Sequence, residues 1–416
     1  MAQQGFAVRL YEMKPQKYSP AHHYSGFAEL VCSNSLKADR TASAAGLLKA
    51  EMRRLGSLLL TCADETRVPA GGALAVDRTA FSDKVTQAVR AHANIEVVSK
   101  EMTGIPDGPV IVATGPLTSD GLAQAIGDFL GADYLSFYDA AAPIVTADSL
   151  NWDKVFRAAR YGRGEDDYVN CSFSKEEYEI FYQELIQAQS AELKEFEKEG
   201  LKVYEGCMPV EVMAGRGPDT LRFGPLKPVG LRDPRTGHRP WAVVQLRHED
   251  KEGTTLNLVG FQTNLKFPEQ KRVFSLIPGL EQAEFTRYGV MHRNTFLNSP
   301  QLLDATFALK QDPRVAFAGQ MTGVEGYMES AASGILAAQN MARRLRGEKP
   351  LILPPETMLG ALSMHISKTP LGDFQPMGAN MGILPPLPER VKGKQERYAL
   401  VAQRALEAFE AYLETL

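Results

Sequence analysis

Two short apolar segments that end at glycine place the strongest constraint on the fold of this 416-residue chain. They read Val110-Ile111-Val112-Ala113-Thr114-Gly115 and, about 200 residues later, Val315-Ala316-Phe317-Ala318-Gly319-Gln320. Such runs are typical of strands buried on both faces of a parallel sheet, and the glycine allows a ligand to approach the backbone closely. Each segment alone is an ordinary buried strand with a turn glycine. Together, their order and separation favour a flavin-binding domain that is split by an insertion.

Two further features agree with a dinucleotide site. Gly323, Gly326 and Gly334 punctuate the start of a small-residue helix whose first N–H groups can receive a phosphate. Near the N-terminus, a strand-like run ends at Glu12, as the second strand of a dinucleotide-binding unit ends at the carboxylate that binds ribose hydroxyls.

The phosphate-binding G-x-G-x-x-G motif, which should precede that carboxylate by about 20 residues, is absent. We therefore expect the first strand, the glycine loop and most of the first helix to be missing, which would leave a gap in the sheet. A start codon assigned too far downstream is the hypothesis that explains this.

The pattern as a whole predicts an α/β protein with a FAD-binding Rossmann-like domain that is truncated at its N-terminus. Residues 1–145 and 305–416 form this domain, and residues 146–304 form an inserted α+β domain in which strand-like pieces recur between residues 241 and 290. Apolar periodicity predicts one helix over 36–60 and a terminal helix through Phe409. Asp77 is a predicted N-cap, and Ser174 with Glu177 a predicted capping box.

Composition excludes several classes of protein. The formal charge of -4 means that any nucleic-acid contact must rely on local basic patches, and no apolar run reaches the length of a membrane span. The N-terminal residues do not resemble a signal peptide. Four widely spaced cysteines without a CxxC motif suit a reducing cytoplasm, and they predict neither a disulfide framework nor a metal site.

The cysteines differ in their surroundings. Cys32 follows a strand-like run and precedes the predicted 36–60 helix, whose N-terminus would favour its thiolate. Cys207 lies in a predicted loop between Gly206 and Met208-Pro209. An isolated cysteine is more often a buried small apolar residue, and Cys62 and Cys171 are assigned that role. The polar clusters His22-His23 and His292-Arg293-Asn294 are either substrate contacts or ordinary surface.

Seven motifs resemble those of the bacterial folate- and flavin-dependent tRNA (uracil-5-)-methyltransferases, over nearly the whole chain. They are Phe27-Ala28-Glu29-Leu30-Val31-Cys32-Ser33-Asn34-Ser35-Leu36, Arg67-Val68-Pro69-Ala70-Gly71-Gly72-Ala73-Leu74-Ala75-Val76-Asp77-Arg78, Ala113-Thr114-Gly115-Pro116-Leu117-Thr118-Ser119, Glu205-Gly206-Cys207-Met208-Pro209, Phe223-Gly224-Pro225-Leu226-Lys227-Pro228-Val229-Gly230-Leu231, Arg287-Tyr288-Gly289-Val290-Met291-His292-Arg293-Asn294-Thr295 and Gly319-Gln320-Met321-Thr322-Gly323-Val324-Glu325-Gly326-Tyr327.

The resemblance implies methylation of C5 of uridine 54 in the T loop of tRNA. The carbon donor would be 5,10-methylenetetrahydrofolate and the reductant reduced FAD, which NAD(P)H regenerates. C5 of uracil is a poor nucleophile until a thiolate adds at C6, so the reaction requires a cysteine. No membrane and no stable protein partner are expected.

The same resemblance implies roles for individual residues. Cys207 matches the thiol that attacks C6, and Cys32 matches a second functional thiol near the flavin, for proton abstraction or protection of the activated intermediate. The predicted flavin contacts are Glu12, Thr114, Gly115, Gly319, Gly323 and Gly326. The predicted substrate contacts are His292, Arg293 and Tyr327.

Two matters stay open at this point. The tRNA phosphates have several candidate partners, namely Arg53-Arg54, Lys227, Arg232, Arg235, Arg239, Lys271-Arg272, Arg287 and Arg293, and a stacking aromatic ring is expected but not identified. The alternative functions are a flavin-free tRNA-binding remnant, a related flavoprotein that modifies wobble uridines, and a generic flavin oxidoreductase.

Overall fold

The computed structural model describes residues 1–131, 135–140, 142–162, 166–191, 208–289, 291–370 and 374–415. The strands in these ranges are β1 (Val8–Glu12), β2 (Ser35–Ala38), β3 (Arg67–Val68), β4 (Ala73–Val76), β5 (Ile95–Ser99), β6 (Val110–Val112), β7 (Leu135–Ala140), β8 (Ile144–Thr146), β9 (Val155–Arg157), β10 (Tyr168–Phe173), β11 (Ala242–His248), β12 (Thr255–Leu258), β13 (Phe285–Arg287), β14 (Met291–Phe296) and β15 (Val315–Phe317).

The α-helices in the same ranges are α1 (Ala44–Arg54), α2 (Leu58–Glu65), α3 (Arg78–Ala91), α4 (Asp120–Leu130), α5 (Lys175–Gln187), α6 (Val210–Ala214), α7 (Thr220–Phe223), α8 (Phe267–Phe274), α9 (Ser299–Leu302), α10 (Tyr327–Leu345), α11 (Met358–Lys368) and α12 (Lys394–Leu413). None of these helices combines the length and the apolar character needed to cross a lipid bilayer.

Two parallel strand pairs carry the dinucleotide-binding features of the sequence. Strand β1 pairs with β5, and Glu12 lies opposite Ser99 at the carboxyl end. Strand β6 pairs with β15, so that Val112 lies opposite Phe317. Within the described ranges these pairs form two separate sheets. Both predicted apolar segments are therefore strands, and their carboxyl ends lie side by side.

The middle of the chain forms a different kind of sheet. Six antiparallel strands lie in the order β13-β8-β12-β11-β10-β9 and pack against α5, α6 and α8 around a core of their own. The second core combines residues before 130 with residues after 296, and it surrounds α10. Leu297, Leu302 and Leu303 belong to this second core although they precede residue 304, and the predicted boundaries at 145 and 304 stay a prediction.

The predicted helix over 36–60 is wrong. The structure has strand β2, then α1 and α2, because Ser43 caps α1 and Gly56 ends that segment with a left-handed φ of 71°. The side chain of Ser57 then caps α2. The apolar spacing that predicted one helix reflects two helices that bury their faces in the same core. The caps predicted at Asp77 and Ser174 and the terminal helix are confirmed.

Two buried charged groups on α1 join it to its neighbours. The Lys49 ammonium donates to the carbonyls of Leu36, Ala38 and Ala45, at 2.8, 2.7 and 3.1 Å, which ties β2 to α1. The Glu51 carboxylate accepts the backbone N–H groups of Met358 and Leu359, both at 2.8 Å. These N–H groups open α11 and have no partner within that helix, so Glu51 caps it.

Glu51 should make the protein less stable as the pH rises from about 5 to about 7. Burial raises its pKa from an ordinary 4.5 to about 7, so the folded state binds a proton that the unfolded state has released. By linkage the free energy of unfolding falls over this window, by about 3 kcal/mol, and levels off above it. Urea unfolding of wild type and Glu51→Gln at pH 5 and pH 8 checks this. The free energy of unfolding of the variant should change much less between pH 5 and pH 8 than that of wild type. An equal change in both proteins would contradict this role of Glu51.

Candidate active site

Glycines line the carboxyl edge formed by β6 and β15. Because Val112 and Phe317 are register partners, Gly115 and Gly319 leave neighbouring strands at the same edge of the sheet. Their φ angles are 74° and 85°, which only glycine adopts without strain. A Cβ at Gly115 would have no heavy atom within 4 Å other than those of adjacent residues, so the space beside this backbone is open.

Helix α10 begins just after this edge. Gly323 and Gly326 precede it with φ angles of 85° and 122°. A Cβ at Gly323 would lie 2.4 Å from the Phe374 ring, so glycine is required for the packing. No side chain of the described residues caps α10. Its first N–H groups and the glycine-lined edge together fit the phosphates of a dinucleotide.

The other two predicted cofactor residues lie at strand ends, Thr114 directly before Gly115 and Glu12 on the other parallel strand pair. Glu12 ends β1, and its carboxylate accepts the Lys14 N–H at 2.9 Å. Thr114 follows β6 and shares a hydrogen bond of 2.7 Å with the Thr118 hydroxyl. Both are placed as the strand pattern predicts, but neither contact identifies a ligand.

Cys32 contacts Tyr327, a residue 295 positions away in the sequence. The Cys32 N–H donates to the Tyr327 hydroxyl oxygen at 2.8 Å, and Cys32 Sγ lies 3.0 Å from the same oxygen. Burial is the main reason that the pKa of Tyr327 is raised well above its usual range, and the neighbouring Cys32 thiol is the second reason. The phenol therefore keeps its proton. A hydroxyl that keeps its proton can donate it to the sulfur, and a donor at this distance stabilises a thiolate.

The helix dipole does not activate Cys32, and that interpretation is wrong. The residues that follow it form strand β2, and the next helix begins only at Ala44. The group next to the Cys32 sulfur is the Tyr327 hydroxyl and not a helix N-terminus.

Tyr327→Phe should slow alkylation of Cys32 by iodoacetamide about tenfold, because the thiolate loses its hydrogen-bond donor. The alkylated peptide is quantified by mass spectrometry at fixed pH. Tyr24→Phe, which removes a hydroxyl bonded to Asp83 on the exposed surface, is the matched control. An unchanged rate in Tyr327→Phe would show that the hydroxyl does not act on the sulfur.

Arginine side chains surround the segment that carries Cys32. Arg78 pairs with Glu249 and also donates to the carbonyl of Leu30. Arg247 donates to Asn34 Oδ1 at 2.9 Å and to Ser33 Oγ at 2.8 Å. These residues fix the backbone on both sides of the cysteine.

Arg287 is the third arginine of this group. Burial is the main reason that the pKa of its guanidinium is lowered to about 10, and repulsion from the Arg78 guanidinium is the second reason. Its Nε–H is buried and has no hydrogen-bond partner among the described residues. A buried donor without a partner is costly. Here it belongs to one of three neighbouring guanidinium groups, which lie near the carboxylate of Glu249 among the residues that the structure describes. The arrangement suits an anionic or carbonyl group of a ligand.

The remaining predicted site residues are described in part or not at all. Cys207 lies outside the described residues. His292 and Arg293 belong to β14, where their register partners on β7 are Asp139 and Tyr138. Of the predicted substrate and catalytic residues, the structure brings together Cys32 and Tyr327.

Arg78, Arg247 and Glu249 are parts of this site that the sequence alone does not single out. Arg78 ends one of the motifs quoted above, and this was its only signal in the sequence. Arg247 and Glu249 lie at the end of β11 in the middle part of the chain, more than 200 residues from the Ser33 and Asn34 that Arg247 contacts. Nothing local distinguishes them from surface charges.

Comparison with known proteins gives a consistent result. A family model described as glucose inhibited division protein A matches residues 1–349. The methylenetetrahydrofolate--tRNA-(uracil-5-)-methyltransferase TrmFO of Acetivibrio thermocellus is 58% identical over 414 residues, which cover 99% of this chain and 94% of that protein. The protein of the same name from Geobacter sulfurreducens is 59% identical over 418 residues, which cover 100% of this chain and 95% of that one.

The fold is also that of solved structures. Aquifex aeolicus GidA in its form II crystal has a TM-score of 0.71 at 14% identity, covering 99% of this chain and 70% of that one. Its form I crystal gives a TM-score of 0.70 at 16% identity. This likeness, with the family match, confirms the predicted FAD-binding Rossmann-like α/β class.

Proposed function

Since the chain belongs to the glucose inhibited division protein A family, and within it to the folate-dependent tRNA uracil methyltransferases named TrmFO, we propose that it methylates C5 of uridine 54 in the T loop of tRNA. The carbon donor is 5,10-methylenetetrahydrofolate, the reductant is reduced FAD, and NAD(P)H regenerates the reduced flavin.

The observation that carries this proposal is the position of Cys32. Its thiol contacts Tyr327, the first residue of α10, and the glycine-lined edge lies at the start of the same helix. The reactive thiol is therefore next to the place where a dinucleotide fits. Uracil methylation needs a thiol in this position, and a simple flavin oxidoreductase does not.

The residues that fit FAD are Gly115 and Gly319 at the strand ends, with Gly323 and Gly326 at the start of α10. The open space beside Gly115 and Gly319 and the uncapped helix support a phosphate contact, whereas Phe374 packs against Gly323 and Glu329 against Gly326. Glu12 and Thr114 are proposed as further contacts on the strand-end pattern. The flavin, when bound and reduced, supplies the hydride that turns the transferred methylene into a methyl group.

The two cysteines have different proposed roles. The Cys207 thiolate adds to C6 of uracil, which gives C5 the character of an enolate and lets it attack the one-carbon unit. The Cys32 thiolate takes the proton from C5, and the bond between the transferred methylene and its carrier nitrogen breaks. Once hydride has been added to that methylene, the C6–S bond breaks and the Cys207 thiolate leaves. The unpartnered Nε–H of Arg287 is a donor suited to the uracil oxygen that becomes negative during addition. His292 and Arg293 are proposed as substrate contacts on their motif.

Release of tritium tests the proposal. A tRNA transcript labelled with tritium at C5 of its uridines should release label to water when the protein, FAD, NADPH and methylenetetrahydrofolate are all present. A transcript with cytidine at position 54 is the control and should release none. Label that stays on the tRNA with all components present, or release that is equal from both transcripts, would contradict the proposal.

The alternative function is a tRNA-binding protein without flavin. The visible absorption spectrum of the purified protein separates the two. A flavin band supports the methyltransferase, and a colourless protein that also gains no band with added FAD supports the alternative.

A further inference from the structure

Three aromatic rings form a parallel stack at the surface of the six-stranded sheet. Phe267 stacks on Tyr288 with centroids 4.8 Å apart and planes 14° from parallel. Tyr288 stacks on Phe285 with centroids 5.2 Å apart and an angle of 11°. Phe267 is the outer ring, and 50% of it is exposed. The exposed face of this ring is a flat apolar surface on which a ligand can stack.

The inner end of this stack is fixed in the core. Phe285 contacts Phe274, which is buried, at a centroid distance of 6.5 Å. The buried Gln270 side chain donates to the Gly289 carbonyl and accepts the Gly289 N–H, at 2.7 and 2.8 Å. The residue next to Tyr288 is thereby locked to α8, the helix that Phe267 begins. The outer ring is thus held in one orientation before any ligand arrives.

The stack lies beside the attachment points of the segment that carries Cys207. Ala191, before that segment, donates its N–H to the Asn264 carbonyl at 2.7 Å. Val210, after it, donates to the Gln262 carbonyl at 2.7 Å. Both anchors are within five residues of Phe267. On the other side, Arg287 precedes Tyr288 and reaches the group around Cys32.

The charges around Phe267 suit a nucleic acid. Lys271 is exposed and lies four residues after Phe267 on the same helix, so the ring and the ammonium share one face. The next residue, Arg272, is neutralised by Glu184 and Glu269. Lys266, directly before the ring, is also exposed. One flat ring with cations beside it matches an unpaired base and its phosphates.

We propose that Phe267 is the platform on which an unpaired base of the tRNA loop stacks, next to the base that is methylated. This inference rests on the proposed function for the identity of the RNA. It adds a substrate-positioning residue, and it identifies the stacking ring that the sequence alone does not single out.

Fluorescence anisotropy with a labelled T-arm hairpin tests the proposal on the full protein. Phe267→Ala should raise the Kd about tenfold, and Phe267→Trp should stay within about threefold of wild type. Phe129→Ala, which removes an exposed ring on α4, is the matched control and should bind as wild type does. Hairpins with one abasic site at each loop position extend the test. At one of these positions the abasic site should raise the Kd of wild type by the same factor of about ten. The same abasic hairpin should bind Phe267→Ala no more weakly than the intact hairpin does.

An unchanged Kd in Phe267→Ala would overturn the proposal, and so would an equal loss in Phe129→Ala. A raised KM for folate with unchanged hairpin affinity would also overturn it, because the ring would then contact folate. Circular dichroism and thermal unfolding verify that each variant is folded. The binding assay contains no folate and no reductant, so its outcome is independent of whether the protein methylates uridine 54.

Discussion

Cys207→Ala should reduce methyl transfer to tRNA by at least about 10⁴-fold while FAD binding is unchanged. Without a thiolate at C6, C5 of uracil does not become nucleophilic enough to attack the one-carbon unit. The flavin contacts proposed above lie at the carboxyl ends of β1, β6 and β15 and directly before α10, and none is close to Cys207 in the sequence. The variant should therefore keep the visible flavin spectrum of the wild type.

A tRNA that contains 5-fluorouridine makes this result specific. Fluorine at C5 is not removed as a proton, so the wild-type protein should form a covalent complex that survives denaturing electrophoresis. Cys207→Ala should form none. Cys62→Ala is the matched control, because Cys62 is buried in α2 and has no proposed part in the reaction. A Cys207→Ala protein that methylates tRNA would defeat the assignment of the nucleophile.

Cys32→Ala should reduce methyl transfer by about 10²- to 10⁴-fold, the usual effect of removing a general base. The Cys32→Ala variant should be blocked at a later step of the reaction than the Cys207→Ala variant. Addition at C6 does not need Cys32, but departure of the C5 proton does. Natural tRNA should therefore accumulate as a covalent complex with Cys32→Ala.

Mass spectrometry of tryptic and nuclease digests identifies the cross-linked residue. We expect Cys207 to carry the nucleotide in Cys32→Ala. If the complex formed through Cys32 in a Cys207→Ala protein instead, the two roles would be exchanged. If Cys32→Ala methylated at the wild-type rate, the thiol held by Tyr327 would have no part in the chemistry.

The sequence predicted the parts of this molecule that depend on local pattern. The apolar runs before Gly115 and Gly319 are parallel partners, because a strand buried on both faces leaves an uninterrupted apolar signal. The caps at Asp77 and Ser174 were predictable because each depends on residues three positions apart. The prediction of one helix over 36–60 was wrong because two consecutive helices share one core, so their apolar spacing continues across Gly56 and hides the break.

The surroundings of Cys32 could not be predicted in the same way. Tyr327 is 295 positions away from it, and Arg247 is 214 positions from Ser33. The first contact joins two distant parts of one core, and the second joins that part of the molecule to the six-stranded sheet. No periodicity in the sequence reports either contact. The motif resemblance identified Cys32 and Tyr327 separately as site residues, but it did not predict that the Tyr327 hydroxyl contacts the Cys32 sulfur.

The most direct test of the whole account is the mass of nucleotide 54 after the reaction. A tRNA transcript is incubated with the protein, FAD, NADPH and methylenetetrahydrofolate that carries two deuterium atoms on its methylene carbon, and its T-loop fragment is sequenced by mass spectrometry. We predict that uridine 54 gains a methyl group with two deuterium atoms from the donor and one hydrogen from the reductant, and that no other nucleotide changes. An unlabelled methyl group at that position, or no gain in mass there, would contradict the assignment of this chain as a folate-dependent uridine 54 methyltransferase.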